Sequence, residues 1–164
     1  MTRRANLPKS NLANANLCDD DFAEANFAGA DLSSASMRKT DLHGADLTAA
    51  DLRHDDLRDA DLTGAHLSEA HLEEANLKGV NLTDADLHGA FLHDVDLRDA
   101  NLTNADLSDA DLTGANLDGV NLGQVGSLAG ARLRGVRGIS PEQRRDYATK
   151  WAIVDDEQDP ADDH

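Results

Sequence analysis

A five-residue period constrains this chain more than any other feature. From Leu7 to Leu122 a large apolar residue returns at every fifth position, 24 times in succession, and only Phe22, Phe27 and Met37 replace Leu. Two residues before each of these centres the side chain is small. Ala fills 17 of those 24 positions, and Val80, Val95 and Val120 fill three more. Ser10, Asp20, Thr40 and Asp55 break this rule with a polar group. The residue just before the centre is usually Asp or Asn, as in Ala60-Asp61-Leu62-Thr63-Gly64.

A period of five matches neither the 3.6 of an α-helix nor the 2 of a strand. On a helix the Leu row would wind around the surface and bury nothing. Asp, Asn and Gly recur throughout and are poor formers of either element. The pattern makes sense if each five residues form one short side of a coil and the chain turns at each corner. Leu and the small residue then point inward, and the other three point outward or make the turn. Asp and Asn are expected at the corners, where their short side chains bond to nearby backbone groups.

These units, of the form A-(D/N)-L-x-x over residues 5–124, resemble the pentapeptide-repeat family. The resemblance implies an all-β fold, a right-handed quadrilateral β-helix with four units, or 20 residues, per coil. Six coils stacked at strand spacing would make a rod roughly 29 Å long. Some members of that family resemble DNA in shape and charge and bind type II topoisomerases, as the quinolone-resistance pentapeptide proteins do. The resemblance therefore implies gyrase as a partner to be weighed.

Composition fits a narrow solenoid. Aromatic residues are only 3 % of the chain, which would leave an ordinary globular core short of large side chains. Net charge is −17. Residues 5–124 hold 24 acidic and seven basic side chains, which is the whole of that excess. A polyanion of this kind disfavours nucleic-acid binding. Asp is abundant at 26 and Lys scarce at four, a bias that also fits adaptation to high salt. The start of the chain leads straight into the repeat with no apolar signal segment, and no stretch is apolar enough to span a membrane. A cytoplasmic protein is expected. Cys18 is the single Cys, so no internal disulfide forms.

The register breaks after Leu122, because the next apolar centres are Leu128 and Leu133. The sequence thus divides into a lead over 1–4, a solenoid over 5–139 that is regular to 124, a C-terminal capping or dimerisation helix over 140–154, and a disordered acidic tail over 155–164. Ser140-Pro141-Glu142-Gln143 is the helix start signal, with Ser as cap, Pro in the first turn and Gln three after the cap. Tyr147 and Trp151, the only Tyr and Trp, share one face of that helix. In relatives such a helix often joins two rods, so a homodimer through residues 128–154 is expected.

Residues 20 apart should stack, giving four faces. The face centred on Leu42, Leu62 and Leu82 carries −6, with Asp21, Asp41 and Asp61 in one column. These three, with Tyr147 and Trp151, are the candidate partner-binding residues. The face through Leu17 and Met37 carries only −2 and holds a basic column of Arg38, Arg58, Lys78 and Arg98, which Asp59 and Asp99 should relieve. A third face brings Arg53-His54, Glu73-Glu74 and His93-Asp94 together, near His71, where charge pairing is expected and no ligand spacing marks a metal site. His66 and His71 stand where Asp or Asn usually stands and are expected to serve the same turn. No nucleophile, base and orienter share a concave site, and no phosphate-cradling loop occurs. The sequence therefore reads as a non-enzymatic scaffold or interaction rod without cofactor, acting on an unidentified protein partner.

Overall fold

The computed structural model describes residues 4–150. The acidic tail and Trp151 lie outside the described residues, as do residues 1–3.

One unit shows how the fold closes its backbone accounts. The Ala60 amide donates to Leu57 O (3.1 Å), closing a turn. The Asp61 amide reaches back to Thr40 O (3.0 Å), while the Leu62 and Gly64 amides reach forward to Asn81 O and Thr83 O (both 2.8 Å). The Thr63 amide is left, and Asp61 Oδ1 accepts it at 2.9 Å. All five N–H groups of the unit are satisfied, as buried or half-buried backbone requires. The same pattern repeats around the coil, so that the first coil is tied to the second by twelve bonds, three from each side.

Parallel pairing joins residues 20 apart, from Asn6↔Asn26 to Asn81↔Asn101 and on to Asn116. A five-residue unit and a 20-residue coil together give four sides. Each side contributes a single pairing residue rather than a strand, because the turn resumes two residues later. The paired residue is the Asp or Asn itself. The sequence reading placed it at the corner; the structure places it on the flat of the side. The corner follows the centre, and its second residue is left-handed in every turn from Lys9 (φ 55°) to Gly119 (φ 81°), as in a type II turn. Sixteen of these left-handed residues are not Gly.

The inward rows are buried as the period requires. Leu and Ala side chains from Ala25 to Leu117 are at most 5 % exposed. Leu7, Leu12, Leu17 and Phe22 of the first coil are only partly buried. Phe22 packs edge-on to Phe27 with centroids 5.2 Å apart.

After Asn121 a one-turn 3₁₀ helix, Leu122–Gln124, takes up one extra residue. Pairing resumes at a spacing of 21, in Asp106↔Ser127, Asp111↔Arg132 and Asn116↔Arg137. Leu128, Ala131, Leu133 and Val136 are buried. The closing element is α1, Pro141–Lys150. Its start is the expected reciprocal cap: Gln143 N donates to Ser140 Oγ (3.1 Å) and Ser140 N to Gln143 Oε1 (2.8 Å). Arg144 ties it to Val136 O at 3.0 Å. Tyr147 is 9 % exposed and belongs to the core. The ring expected at an interface is therefore turned onto the coil end, where it lines a recess with Leu122 and Leu128.

Candidate functional site

The outward side chains stand in columns, and three faces have distinct chemistry. Asp21, Asp41 and Asp61 do stack, paired at successive coils. Each nevertheless has local work. Asp21 accepts the Ala23 amide at 3.1 Å. Asp41 accepts the amide and ring Nδ1 of His43, at 3.1 and 2.7 Å. The hydrogen bond and charge of Asp41 push the His43 pKa up. Burial opposes ionisation of Asp41, but the amide and ring of His43 outweigh it and hold that carboxyl below its ordinary range. Asp61 accepts the Thr63 hydroxyl at 2.5 Å. Above it Asn81 Nδ2 donates to Thr63 Oγ1 (2.7 Å), and Asn101 Nδ2 to Thr83 Oγ1 (2.9 Å). The upper half of this column is a neutral amide–hydroxyl ladder, not a charged one.

On the basic column the main relief at Arg58 and Arg98 comes from within the unit, with Asp59 and Asp99 adding their charge as expected. Arg58 forks onto Asp56, with both bonds at 2.7 Å, and Arg98 onto Asp96, with Nε at 2.8 Å from Oδ1. The guanidinium of each neighbour holds Asp56 and Asp96 below the usual carboxylate range. Of the two acids named from sequence, Asp99 stands 4.0 Å from Lys78. Cys18 at the foot of this column lies with Sγ 2.9 Å from Ser36 Oγ, and that contact lowers its pKa.

The third face runs Asp31, Asp51, His71, Phe91, Asp111 up its pairing column. Arg53 forks onto Asp51 (Nε–Oδ1 2.8 Å). His71 does not cap its turn. Its Nδ1 lies 3.1 Å from Glu73 Oε1, and its ring stacks on Phe91 at 4.6 Å and 9°. His66 likewise makes no bond to the amide two residues on. His93 Nε2 meets Asp111 Oδ2 at 3.1 Å, and Arg132 Nη1 reaches the same oxygen at 3.2 Å. The expected patch is thus a set of separate pairs. Among the described residues no three His, Cys, Asp or Glu side chains converge on a metal position.

Phe91 was missed in the sequence reading. It is 39 % exposed, the one exposed large hydrophobic side chain among the described residues. Its signal was available: it is the only aromatic residue in the position that Asp or Asn normally holds.

Two inward polar groups are accounted for differently. Thr40 Oγ1 donates to Leu17 O (2.7 Å). Asp55 is 1 % exposed; its Oδ1 accepts the Ala35 amide of the coil below at 2.7 Å, and its Oδ2 is buried without a partner. Burial, helped by repulsion from Asp51 and Asp31, pushes its pKa up to about 8. The bond is to the adjacent coil, not to its own corner.

A recess of about 210 Å³ between the 3₁₀ turn and α1 is lined by Leu122, Val125, Ser127, Leu128, Asp146 and Tyr147. In its lining Ser127 pairs with Ser108 at 2.6 Å. No helix among the described residues is long and apolar enough to cross a membrane.

Comparison with known proteins places this geometry. No curated protein sequence matches. Among solved structures, HetL from the cyanobacterium Nostoc sp. strain PCC 7120, a pentapeptide repeat protein involved in heterocyst differentiation regulation, is 32% identical. That match covers 82% of this chain and 73% of HetL, with a TM-score of 0.40. QnrB1, a plasmid-mediated fluoroquinolone resistance protein, is 15% identical over 94% of this chain and 86% of its own, with a TM-score of 0.54. At that identity the likeness is one of fold. The family model for pentapeptide repeats (8 copies) matches residues 21–53, 56–94 and 92–125. The four-sided coil with its period of five therefore has a name: this chain belongs to the pentapeptide-repeat family.

Proposed function

We propose that the protein is a non-enzymatic interaction rod, right-handed like its family, whose acidic faces meet a protein partner. One observation carries this reading. The turn amide is accepted by Asp at 11 positions and by Asn at eight, through the same Oδ1 contact. Asn satisfies the turn without charge, so the fold does not require Asp there. The surplus of charge is a property of the surface, and it suits contact with a basic partner or solubility.

A second reading is a DNA mimic that binds a type II topoisomerase. Its support is charge density. Seventeen net charges over roughly 29 Å give about one per 1.7 Å, close to duplex DNA. Purified protein in a gyrase supercoiling assay, with and without a quinolone, separates the two. Inhibition or protection at micromolar protein favours the mimic, and no effect removes it.

We further propose a cytoplasmic location and a homodimer through the C-terminal helix. The dimer now rests on Trp151, since Tyr147 faces the coil. Light scattering on the intact chain, on Trp151→Ala and on a truncation before Ser140 tests it; a monomer at every concentration ends it.

A further inference from the structure

Phe91 occupies a position where the fold gains from an acceptor. In most other units an Asp or Asn there binds the amide two residues on, Ser36, His66 and His71 being further exceptions; at Phe91 that acceptor is missing, and the His93 amide has no protein partner. The coil below repeats the omission, because His71 leaves the Glu73 amide bare. Two stacked units thus both give up the bond that caps the turn. In exchange they carry two rings stacked on each other at the surface, with Phe91 39 % exposed. The surroundings are anionic. Glu73 Oε2 is buried with no partner. Two residues before Phe91 the turn carries Gly89, and the residues stacked beneath and above that Gly are Glu69 and Asp109. Gly89 has no side chain to fill the step between those two carboxylates. The arrangement is an exposed ring two residues from a Gly step, with Glu69 on one side of that step and Asp109, 4.0 Å from His88, on the other.

Resting on the reading of the rod as an interaction surface, we infer that Phe91 and His71 form its docking hot spot. The occupant is an arginine-bearing segment of a protein partner. A guanidinium is planar, stacks on an aromatic face and pairs with carboxylates through a fork. Lysine offers a point charge that gains less from Phe91. The charge of the rod draws a basic partner to every face, and the ring selects this one.

The test uses a hexa-arginine peptide at about 0.15 M salt, where long-range attraction between exposed charges is screened. Its binding to the full chain is followed by heteronuclear NMR, with a hexa-lysine peptide for comparison. Amide shifts should concentrate at Glu73, Gly89, Phe91 and His93, and arginine should bind more tightly than lysine. Phe91→Asp restores the family acceptor, so its melting temperature should hold or rise. It also adds a negative charge. A surface that works by charge alone must bind the peptide as well or better after this change. A hot spot must lose about tenfold in affinity. Phe91→Asn should lose as much without the charge, and Phe91→Tyr should retain binding. Unchanged or tighter binding by Phe91→Asp overturns the inference, as do shifts centred on Asp21, Asp41 and Asp61. Either outcome leaves the rod an interaction surface. No binding of either peptide to any face overturns both.

Discussion

The two ends of the rod are built from the same rows and are finished in opposite ways. At the start, Leu7, Leu12, Leu17 and Phe22 occupy the columns that are fully buried one coil later, yet they remain partly exposed. Among the described residues the amides of Asn6, Asn11, Asn16 and Asp21 find no partner on that side. At the other end the repeat is interrupted, a 3₁₀ turn shifts the register, and α1 brings Tyr147 into the core at the coil end that holds Leu122 and Leu128. The difference shows where a solenoid's stability resides. A Leu is buried by the coils above and below it, so identical residues differ in worth by position. Pro8 and Lys9 at the open coil discourage edge pairing without covering the apolar end.

The sharpest way to break this comparison is to place one carboxylate in each region. Leu62 is fully buried. Leu62→Asp should cost about 4 kcal/mol or more and abolish cooperative melting, since a buried charge has no partner there. Leu7→Asp at the open coil should cost about 1 kcal/mol. Equal losses in chemical denaturation would show that the first coil is covered in solution.

Tyr147→Ala tests the closed end. Removing a buried aromatic costs about 3 kcal/mol in a full core, and somewhat less where one side is solvent. Hydrogen exchange should quicken around Leu128 and Leu133 and stay unchanged at Leu62. If protection is lost along the whole rod, the cap governs global rather than local stability.

Asp55 sharpens the interior side. Its folded pKa, about 8, lies above the ordinary value of 3.8. The folded state therefore holds a proton that the unfolded chain releases. Its contribution is full below pH 4 and declines as pH rises toward 8, by about 1.4 kcal/mol per unit. Ala35 keeps its turn bond to Leu32 O (2.9 Å) without Asp55. Asp55→Ala, the residue found directly below and above it in that column as Ala35 and Ala75, should thus raise stability by about 2 kcal/mol near pH 8, a gain that shrinks by about 1.4 kcal/mol per unit as pH falls and becomes a loss near pH 5. A lower melting temperature at pH 8 would mean that the bond to Ala35 outweighs the buried charge.

The smallest effect belongs to the turns. Ala49 sits at φ 53°, a conformation that costs a residue with a Cβ about 1 kcal/mol. Ala49→Gly should be slightly stabilising, by about 0.5 kcal/mol, wherever along the rod the turn lies.

The inward rows, the inserted residue and the helix start were all legible in the sequence, because each is written in spacing: Leu62 among its fives, Leu128 six after Leu122, Gln143 three after Ser140. The turn position was not. It is marked by Gly at some corners but by Ala49, His54 or Glu74 at others, so no residue type announces it. The pull of Asp toward corners then led the eye to the wrong residue of each unit. Tyr147 could not be oriented, since ten helical residues on a coil end can face either way. Asp55 was legible as an exception, but its partner Ala35 lies 20 residues back and depends on the stacking. Phe91 hid among acids because attention went to charge and not to the acceptor it displaces.

The bonding pattern also sets a mechanical character. The bonds that join one coil to the next run along the rod, whereas the turn bonds and Asp or Asn caps close locally, between residues three or two apart. Tension applied to the two ends loads the coil-to-coil bonds of the outermost turn and spares those inside. Coils should therefore peel away singly from an end, each adding about 70 Å of extended chain for its 20 residues, with extension proceeding in even steps instead of one rupture.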